Sequence, residues 1–453
     1  MGRSNLEQIK RRRRRKESLQ GQTASDQGRI GEIADQFSFL QQLATSCRRF
    51  VPIGFSKHEF PPRFAGDKNY SPLDRNLMTI HAPGQEQSFL TSFIKQPARA
   101  VLLAVAFILN AASAHAQGCV AAHGSGLPPS MDQGETAHGW DISVSYRWFQ
   151  SDRHYVGTAY QAQRDAAGDQ VINRSNFTDI GLNYTISPRY SVTLTVPYVN
   201  HDRSQTLKKN GVVFQRYSTQ ATGIGDVSVV GNAWVFDPAT SPKGNLQVGF
   251  GFALPTGKDD VTDTFQSYNA TLDQVLATVK TVDQSIQPGT GGYGIILSAN
   301  GYRRFGAGFS GYLNASYTMT PQETNGVNTF RGGFESIMSI SDTYLGRIGV
   351  EYTIPSAHGV SLSLGLRAEG VPVYDLIGGS KGFRRPGYSV AIDPGFSISR
   401  PRWTAQVYVP FAIQRNRQQS VPDKQKTAST GKYAQGDAAF ADYLIAFSFS
   451  YKL

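Results

Sequence analysis

Two tetrads in this chain carry residue types that do chemistry: Ser151-Asp152-Arg153-His154 and His201-Asp202-Arg203-Ser204. A histidine beside a carboxylate is the minimum for acid–base catalysis, or half of a metal site. Each tetrad ends a run of alternating apolar and polar residues, so each tops a β-strand, the first and the third of the series below. Strands two apart in a sheet lie about 10 Å apart, so the two His/Asp pairs could meet at one rim. The plainer reading is a set of solvated rim charges. The remaining histidines after residue 117 are His123, His138 and His358, and none lies in a strand interior beside a serine, as nucleophilic catalysis needs. No catalytic residue is assigned.

Glycine motifs give no stronger chemistry. Gly289-Thr290-Gly291-Gly292-Tyr293-Gly294 matches G-x-G-x-x-G, but it precedes a strand instead of following one and opening a helix. Thr256-Gly257-Lys258 lacks the upstream glycine of a phosphate-binding loop. Neither cofactor nor metal is expected.

A second group of candidates is ionisable but not obviously reactive: Arg147, Asp179, Asp226, Arg347, Glu351, Arg367, Glu369 and Asp393. Each stands on the polar side of an alternating segment. Twelve such segments follow residue 139. They are marked by Trp140 to Trp148, Ile180 to Ile186, Tyr190 to Tyr198, Asp226 to Phe236, Leu246 to Leu254 and Tyr293 to Ala299. Then come Phe309 to Met319, Tyr344 to Ile354, Val360 to Leu366, Tyr388 to Ile398, Trp403 to Phe411 and Tyr443 to Leu453. Short turns at Ser187-Pro188-Arg189, Asp237–Gly244, Arg304–Ala307, Ser356–Gly359 and Ser399–Arg402 alternate with long polar stretches. These stretches are 151–176, 200–223, 256–290, 320–342, 374–387 and 414–441. Within the third, Leu272, Val275, Leu276 and Val279 have helical spacing, which predicts a short helix in Asn269–Val282.

The last segment fixes the environment. Tyr443, Ile445, Phe447, Phe449, Tyr451 and Leu453 make a large apolar face that ends with the chain. An open edge of this kind invites aggregation in water, whereas a barrel closes on it and turns the face to lipid. The segment resembles the C-terminal recognition strand of bacterial outer-membrane proteins, although Leu453 stands where Phe is usual. The expected fold is a single antiparallel transmembrane β-barrel of about twelve strands, with short periplasmic turns and long extracellular loops, across residues 139–453. An even count returns both barrel ends to the periplasm. Charged residues are 17% and aromatics 11% of the chain, and the mean hydropathy is −0.33. That excludes a helical membrane bundle and suits strands with one polar face. A soluble β-sandwich is the competing fold. The implied partners are outer-membrane lipid and lipopolysaccharide, the assembly machinery through Tyr443–Leu453, and a small-molecule solute.

The net charge of +11 is no nucleic-acid signature, because most of the excess lies upstream of Gln117, in the run Arg11–Lys16 above all. Ala100–Ala112 is an apolar stretch of signal-peptide length, preceded by Lys95 and Arg99 and followed by Ala114-His115-Ala116. Met78 is a natural start for it. The expectation is a mistranslated or unstructured leader over 1–77, a signal peptide over 78–116 and a periplasmic segment over 117–138. Cys119 is then the one cysteine of the mature chain, in a poor lipidation context.

Three short motifs carry a family resemblance: Gly223-Ile224-Gly225-Asp226, then Leu254-Pro255-Thr256-Gly257-Lys258, then Pro288-Gly289-Thr290-Gly291. They look like those of the outer-membrane family named after the meta-pathway of phenol degradation, over roughly residues 140–453. The resemblance implies a barrel associated with uptake of hydrophobic or aromatic compounds. Read this way, the chain is an outer-membrane channel for passive entry of small solutes, and the eight ionisable residues line its lumen or fill it as an ion-pair lattice. The alternatives are a surface enzyme using the rim histidines, and a barrel whose loops bind or adhere.

Overall fold

The computed structural model describes residues 138–453, and period-two alternation there becomes pleated strand. In chain order the first elements are β1 (Gly139–Val156), the short β2 (Ala159–Tyr160), helix α1 (Ala162–Ala166), β3 (Ile172–Ser187), β4 (Tyr190–Lys209), β5 (Val212–Ile224), β6 (Ser228–Trp234) and β7 (Gly244–Ala253). Next come β8 (Thr262–Asn269), β9 (Gln274–Thr281), β10 (Gly294–Gly306), β11 (Phe309–Met319), β12 (Thr324–Asn328), β13 (Ile337–Ser339) and β14 (Thr343–Thr353). The last are β15 (Val360–Val371), β16 (Gly387–Ser399), β17 (Trp403–Tyr408), β18 (Phe411–Arg417), helix α2 (Val421–Thr430) and β19 (Ala438–Lys452).

They make a closed antiparallel barrel of twelve staves. Two staves are broken strands: β5 continues into β6, and β17 into β18. Closure is the pairing of β19 with β1, in the register Val144↔Phe449 and Trp148↔Ile445. On β1, Trp140, Ile142, Val144 and Tyr146 point outward and are exposed, while Ser145, Arg147 and Phe149 point inward and are buried. The same alternation leaves Phe250, Leu364 and Phe447 outside. Aromatic pairs mark both edges of this apolar belt: Trp140–Tyr184 and Phe309–Tyr352 at the short-turn end, Trp148–Tyr443 and Tyr317–Tyr344 at the other. A closed barrel satisfies every wall N–H and C=O between strands, and a continuous apolar exterior is stable only against lipid. The protein is an outer-membrane β-barrel.

The short turns fall where the sequence places them. The long stretches do not remain loops. Residues 200–223 form a protruding hairpin: β4 runs on to Lys209, turns at Asn210 and Gly211 (φ 53° and 81°), and returns as β5. Asn-Gly is the favoured pair for such a two-residue turn. The helix predicted in Asn269–Val282 is also absent: β8 and β9 form a second hairpin, with Phe265 opposite Thr278 and Tyr268 opposite Val275. The apolar residues behind that prediction, Leu272, Val275, Leu276 and Val279, are all exposed. With no helical face to bury, the β-branched Val275, Thr278, Val279 and Thr281 take the strand conformation they pack best in. The leader, signal stretch, periplasmic segment, Cys119 and His123 lie outside the described residues.

Candidate functional site

The three motif segments, far apart in sequence, meet at the break in the fourth stave. Between β5 and β6 the chain leaves the ladder at Gly225-Asp226-Val227. The Asp226 carboxylate accepts from the backbone N–H of Gly257 (3.0 Å) and from both the N–H and hydroxyl of Thr290 (2.8 and 2.7 Å). The Thr256 hydroxyl accepts from Val227 N–H at 2.8 Å and donates to Gly225 O at 2.9 Å. Gly225, Gly257 and Gly289 touch backbone to backbone. A Cβ on Gly257 would stand 2.7 Å from Gly289 Cα and 2.9 Å from the Gly225 carbonyl carbon, distances no side chain tolerates. Pro288 packs over Gly223, Pro255 stands between Leu254 and the hydroxyl of Thr256, and Gly291 turns with φ 78° toward β10. Asp226 therefore binds backbone at the wall of the barrel.

The other charged candidates lie on the inward face. Arg347 donates through Nε to Asp393 at 2.6 Å, both side chains fully buried. Its guanidinium lies 4.1 Å from the Tyr408 ring centre and 5.8 Å from that of Tyr312. Its carboxylate partner is thus two staves away, across β15, and Glu351 stands further down β14, beside Ser310 and Ser363. Arg367 pairs with Glu369 on its own strand at 2.9 Å. Arg147 covers the Phe177 ring at 4.4 Å, and Asp179 accepts from Ser145 at 3.4 Å. Beside these charges the inner wall carries an apolar cluster of Phe149, Phe177, Val199, Tyr408, Leu444 and Ala446, all buried. A buried ionic lattice and an aromatic strip share one interior.

Above this level the long connections fold together through arginines that strand spacing does not reveal. Asp283 accepts two bonds from Arg385, at 2.7 and 2.6 Å, and lies 3.4 Å from Arg203. It also caps the turn Gln284–Ile286 through Ser285 N–H at 3.1 Å. Burial opposes ionisation of Asp283, but the Arg203 and Arg385 guanidiniums outweigh it and hold the carboxyl well below the usual carboxylate range. Val282 and Ile286 are buried against Ala221 beneath it. Arg384 makes a two-point pair with Asp375, at 2.9 and 2.6 Å, and reaches Ser339. Asp342 accepts from Tyr317, Thr320 N–H and Leu376 N–H. Arg417 pairs with Asp423 at 3.1 Å, where Ser420 and Asp423 form the capping box of α2.

The two rim histidines do not meet. Ring Nδ1 of His154 lies 3.0 Å from Asp437, and its Nε2 accepts from Val171 N–H. His201 is buried edge-on to Phe177, with ring centres 4.8 Å apart. Through the register His201↔Ser175↔Phe149 it stands level with Phe149. At roughly 3.3 Å per residue, His154 is then about 17 Å further along β1. No cluster of three His, Cys, Asp or Glu suited to a metal occurs among the described residues.

No protein-family model and no curated protein matches the sequence. Among solved structures, an outer-membrane channel from Pseudomonas putida F1 superposes with a TM-score of 0.47 at 12% identity, over 72% of this chain and 100% of that one. The monoaromatic hydrocarbon channel CymD gives 0.37 at 9% identity, over 75% and 98%. The toluene transporter TodX of Pseudomonas putida gives 0.35 at 8% identity, over 69% and 89%.

Proposed function

We propose that the chain is a passive outer-membrane facilitator for small solutes, hydrophobic and aromatic ones foremost, and a member of the family named after the meta-pathway of phenol degradation. The observation that carries the transport reading is the aromatic strip on the inner wall. A pore for hydrated solutes is lined by polar groups. Here Phe149, Phe177, Val199, Tyr408 and Leu444 face inward beside the arginine–carboxylate lattice. These side chains are buried against one another, so an apolar solute passes only as they part, and the apolar surface it then covers lowers its cost of entry by about 25 cal/mol per Å². Family membership is supported by the single knot that its three motifs build around Asp226. The separation of His154 from His201 argues against the enzymatic alternative.

The test is uptake of a radiolabelled monoaromatic hydrocarbon by cells expressing the barrel in a host without comparable channels. Expression should raise the initial rate several-fold. Phe177→Asp, in a variant that keeps heat-modifiable migration, should bring it back to background. Equal rates with and without the barrel would end the proposal. Planar-bilayer recordings add the complementary measurement: sparse, small ionic steps fit this interior, and a large steady conductance would mean a general aqueous pore.

A further inference from the structure

The protruding β4–β5 hairpin and the β8–β9 hairpin lean on each other outside the membrane belt. Gln215 donates to Gln266 at 3.2 Å, Gln220 N–H to Asp263 at 2.7 Å, and Phe214 packs edge-on against Tyr268 at 5.5 Å. Between the hairpins and Phe330 lies a cavity of about 230 Å³. Three aromatic rings wall it. Phe265, itself buried, stands 5.4 Å from Phe330 and 6.5 Å from Tyr217, centre to centre. Gln205, Gln266, Ser267, Thr278 and Lys280 complete the lining. The Gln205 amide nitrogen is buried and has no hydrogen-bond partner. Lys280 faces Asp263 across the hairpin, but that carboxylate is taken by the backbone N–H groups of Gln220 and Thr264.

A buried amide nitrogen without a partner is costly, and one carried by a residue that lines an aromatic box beside an ammonium marks a place for an acceptor. We infer that this cavity binds a single-ring aromatic carboxylate from the medium. The ring packs among Tyr217, Phe265 and Phe330, one carboxylate oxygen accepts from Gln205 Nε2, and the charge is met by Lys280. The volume falls below the roughly 300–1,000 Å³ of pockets for larger ligands, which limits the occupant to one ring. A neutral hydrocarbon would fill the box but leave the Gln205 donor unpaired, and a hydrated anion such as phosphate would gain nothing from three aromatic faces. The inference rests on the transport reading for its purpose, as an outer capture site that concentrates solute above the barrel.

Equilibrium binding of radiolabelled benzoate to the purified full chain in detergent tests it, with benzyl alcohol as the neutral comparator. The native chain should bind benzoate more tightly than benzyl alcohol. Lys280→Gln, at an exposed position that cannot endanger folding, should weaken benzoate about tenfold, the usual worth of a charge-assisted contact, and leave benzyl alcohol unchanged. Gln205→Leu should weaken benzoate as well. Absence of benzoate binding, or equal affinity in native chain and both variants, overturns the inference. Hydrocarbon uptake that persists without benzoate binding removes this site and leaves the transport proposal standing. Benzoate binding without uptake does the reverse.

Discussion

On β1, every lipid-facing residue is settled by its neighbours one strand away: Val144 lies beside Ile180 and Phe449, and Tyr146 beside Thr178 and Phe447. Above the membrane belt, Arg385 finds Asp283 across 102 positions of sequence, and Arg384 finds Ser339 across 45. The wall is a repetitive solution. Each stave needs only alternation and a partner, and errors at one position are diluted over a ladder. The extracellular layer depends on a few buried ions, and Arg203 and Arg385 must find a single counterpart in another connection. Redundancy protects the first region, and single contacts hold the second.

That contrast breaks most completely where the wall loses its redundancy, at closure. Deleting Tyr443–Leu453 removes the β19 partners of β1 from Asp141 to Phe149 and of β17 throughout. The staves then have two open edges in place of none. The expected outcome is no heat-modifiable, protease-resistant barrel at all. Loss of the strand also removes the proposed address for the assembly machinery. Folded protein after this deletion would mean that another stave closes the barrel.

The extracellular layer should fail at one residue. Asp283→Ala leaves Arg203 and Arg385 buried beside a lost countercharge and also uncaps the Gln284–Ile286 turn. Removing one side of a buried pair costs about 3–5 kcal/mol. Protease should then cut near residues 283–287 while the barrel stays heat-modifiable. A variant as protected as the native chain would show that the apolar contacts of Val282 and Ile286 suffice. Asp283→Asn, which keeps one acceptor oxygen for these donors, should lose less.

The motif knot lies between the two cases, in the wall but held by single contacts. Gly257→Ala drives a methyl into the backbones of Gly225 and Gly289, and overpacking of this kind costs about 1–3 kcal/mol or more. The midpoint of denaturant unfolding of the refolded barrel should fall accordingly. An Ala variant of native stability would mean that the knot yields easily. Asp226→Asn should lower the same midpoint, since its one amide oxygen can accept from Gly257 or from the N–H and hydroxyl of Thr290 but not from both residues.

These differences also explain what the sequence revealed. Outward residues such as Trp140, Phe250 and Leu364 are legible because lipid on one side and protein on the other impose a period of two. Above the bilayer both faces of a strand meet water or other loops, so Asp202–Lys209 of β4 loses its alternation and reads as a loop. The Asn210-Gly211 turn was the available signal. In β9 a spacing compatible with a helix gave way to β-branched side chains and to cross-strand partners on β8. Arg203 and Arg385 could not be singled out, because nothing local distinguishes an arginine whose carboxylate lies in another connection; Arg384 and Arg417 find theirs 9 and 6 positions away in their own connection, where no strand spacing marks the pair. The motif glycines were visible as resemblance, and only the fold discloses that Gly225, Gly257 and Gly289 share one contact.

The smallest expected effect is that of pH on the same layer. Burial alone would raise the Asp283 carboxyl, but Arg203 and Arg385 pull it well below the ordinary range. An unfolded aspartate titrates near about 3.9. With the folded value depressed, its stabilisation is complete above that point and is lost as pH falls toward the folded value. Asp375 contributes with the opposite sign: burial raises its carboxyl despite Arg384, so protonation costs the folded state less than the unfolded one. The two partly offset each other around the carboxylate range, and at neutral pH the Asp283 contribution is fully present and no longer changes with pH. Hydrogen exchange or protease protection of residues 283–287 should therefore stay flat from about pH 5 to pH 8 and decline only below about pH 4. A loss centred near neutral pH would mean that the Asp283 pair does not control this layer.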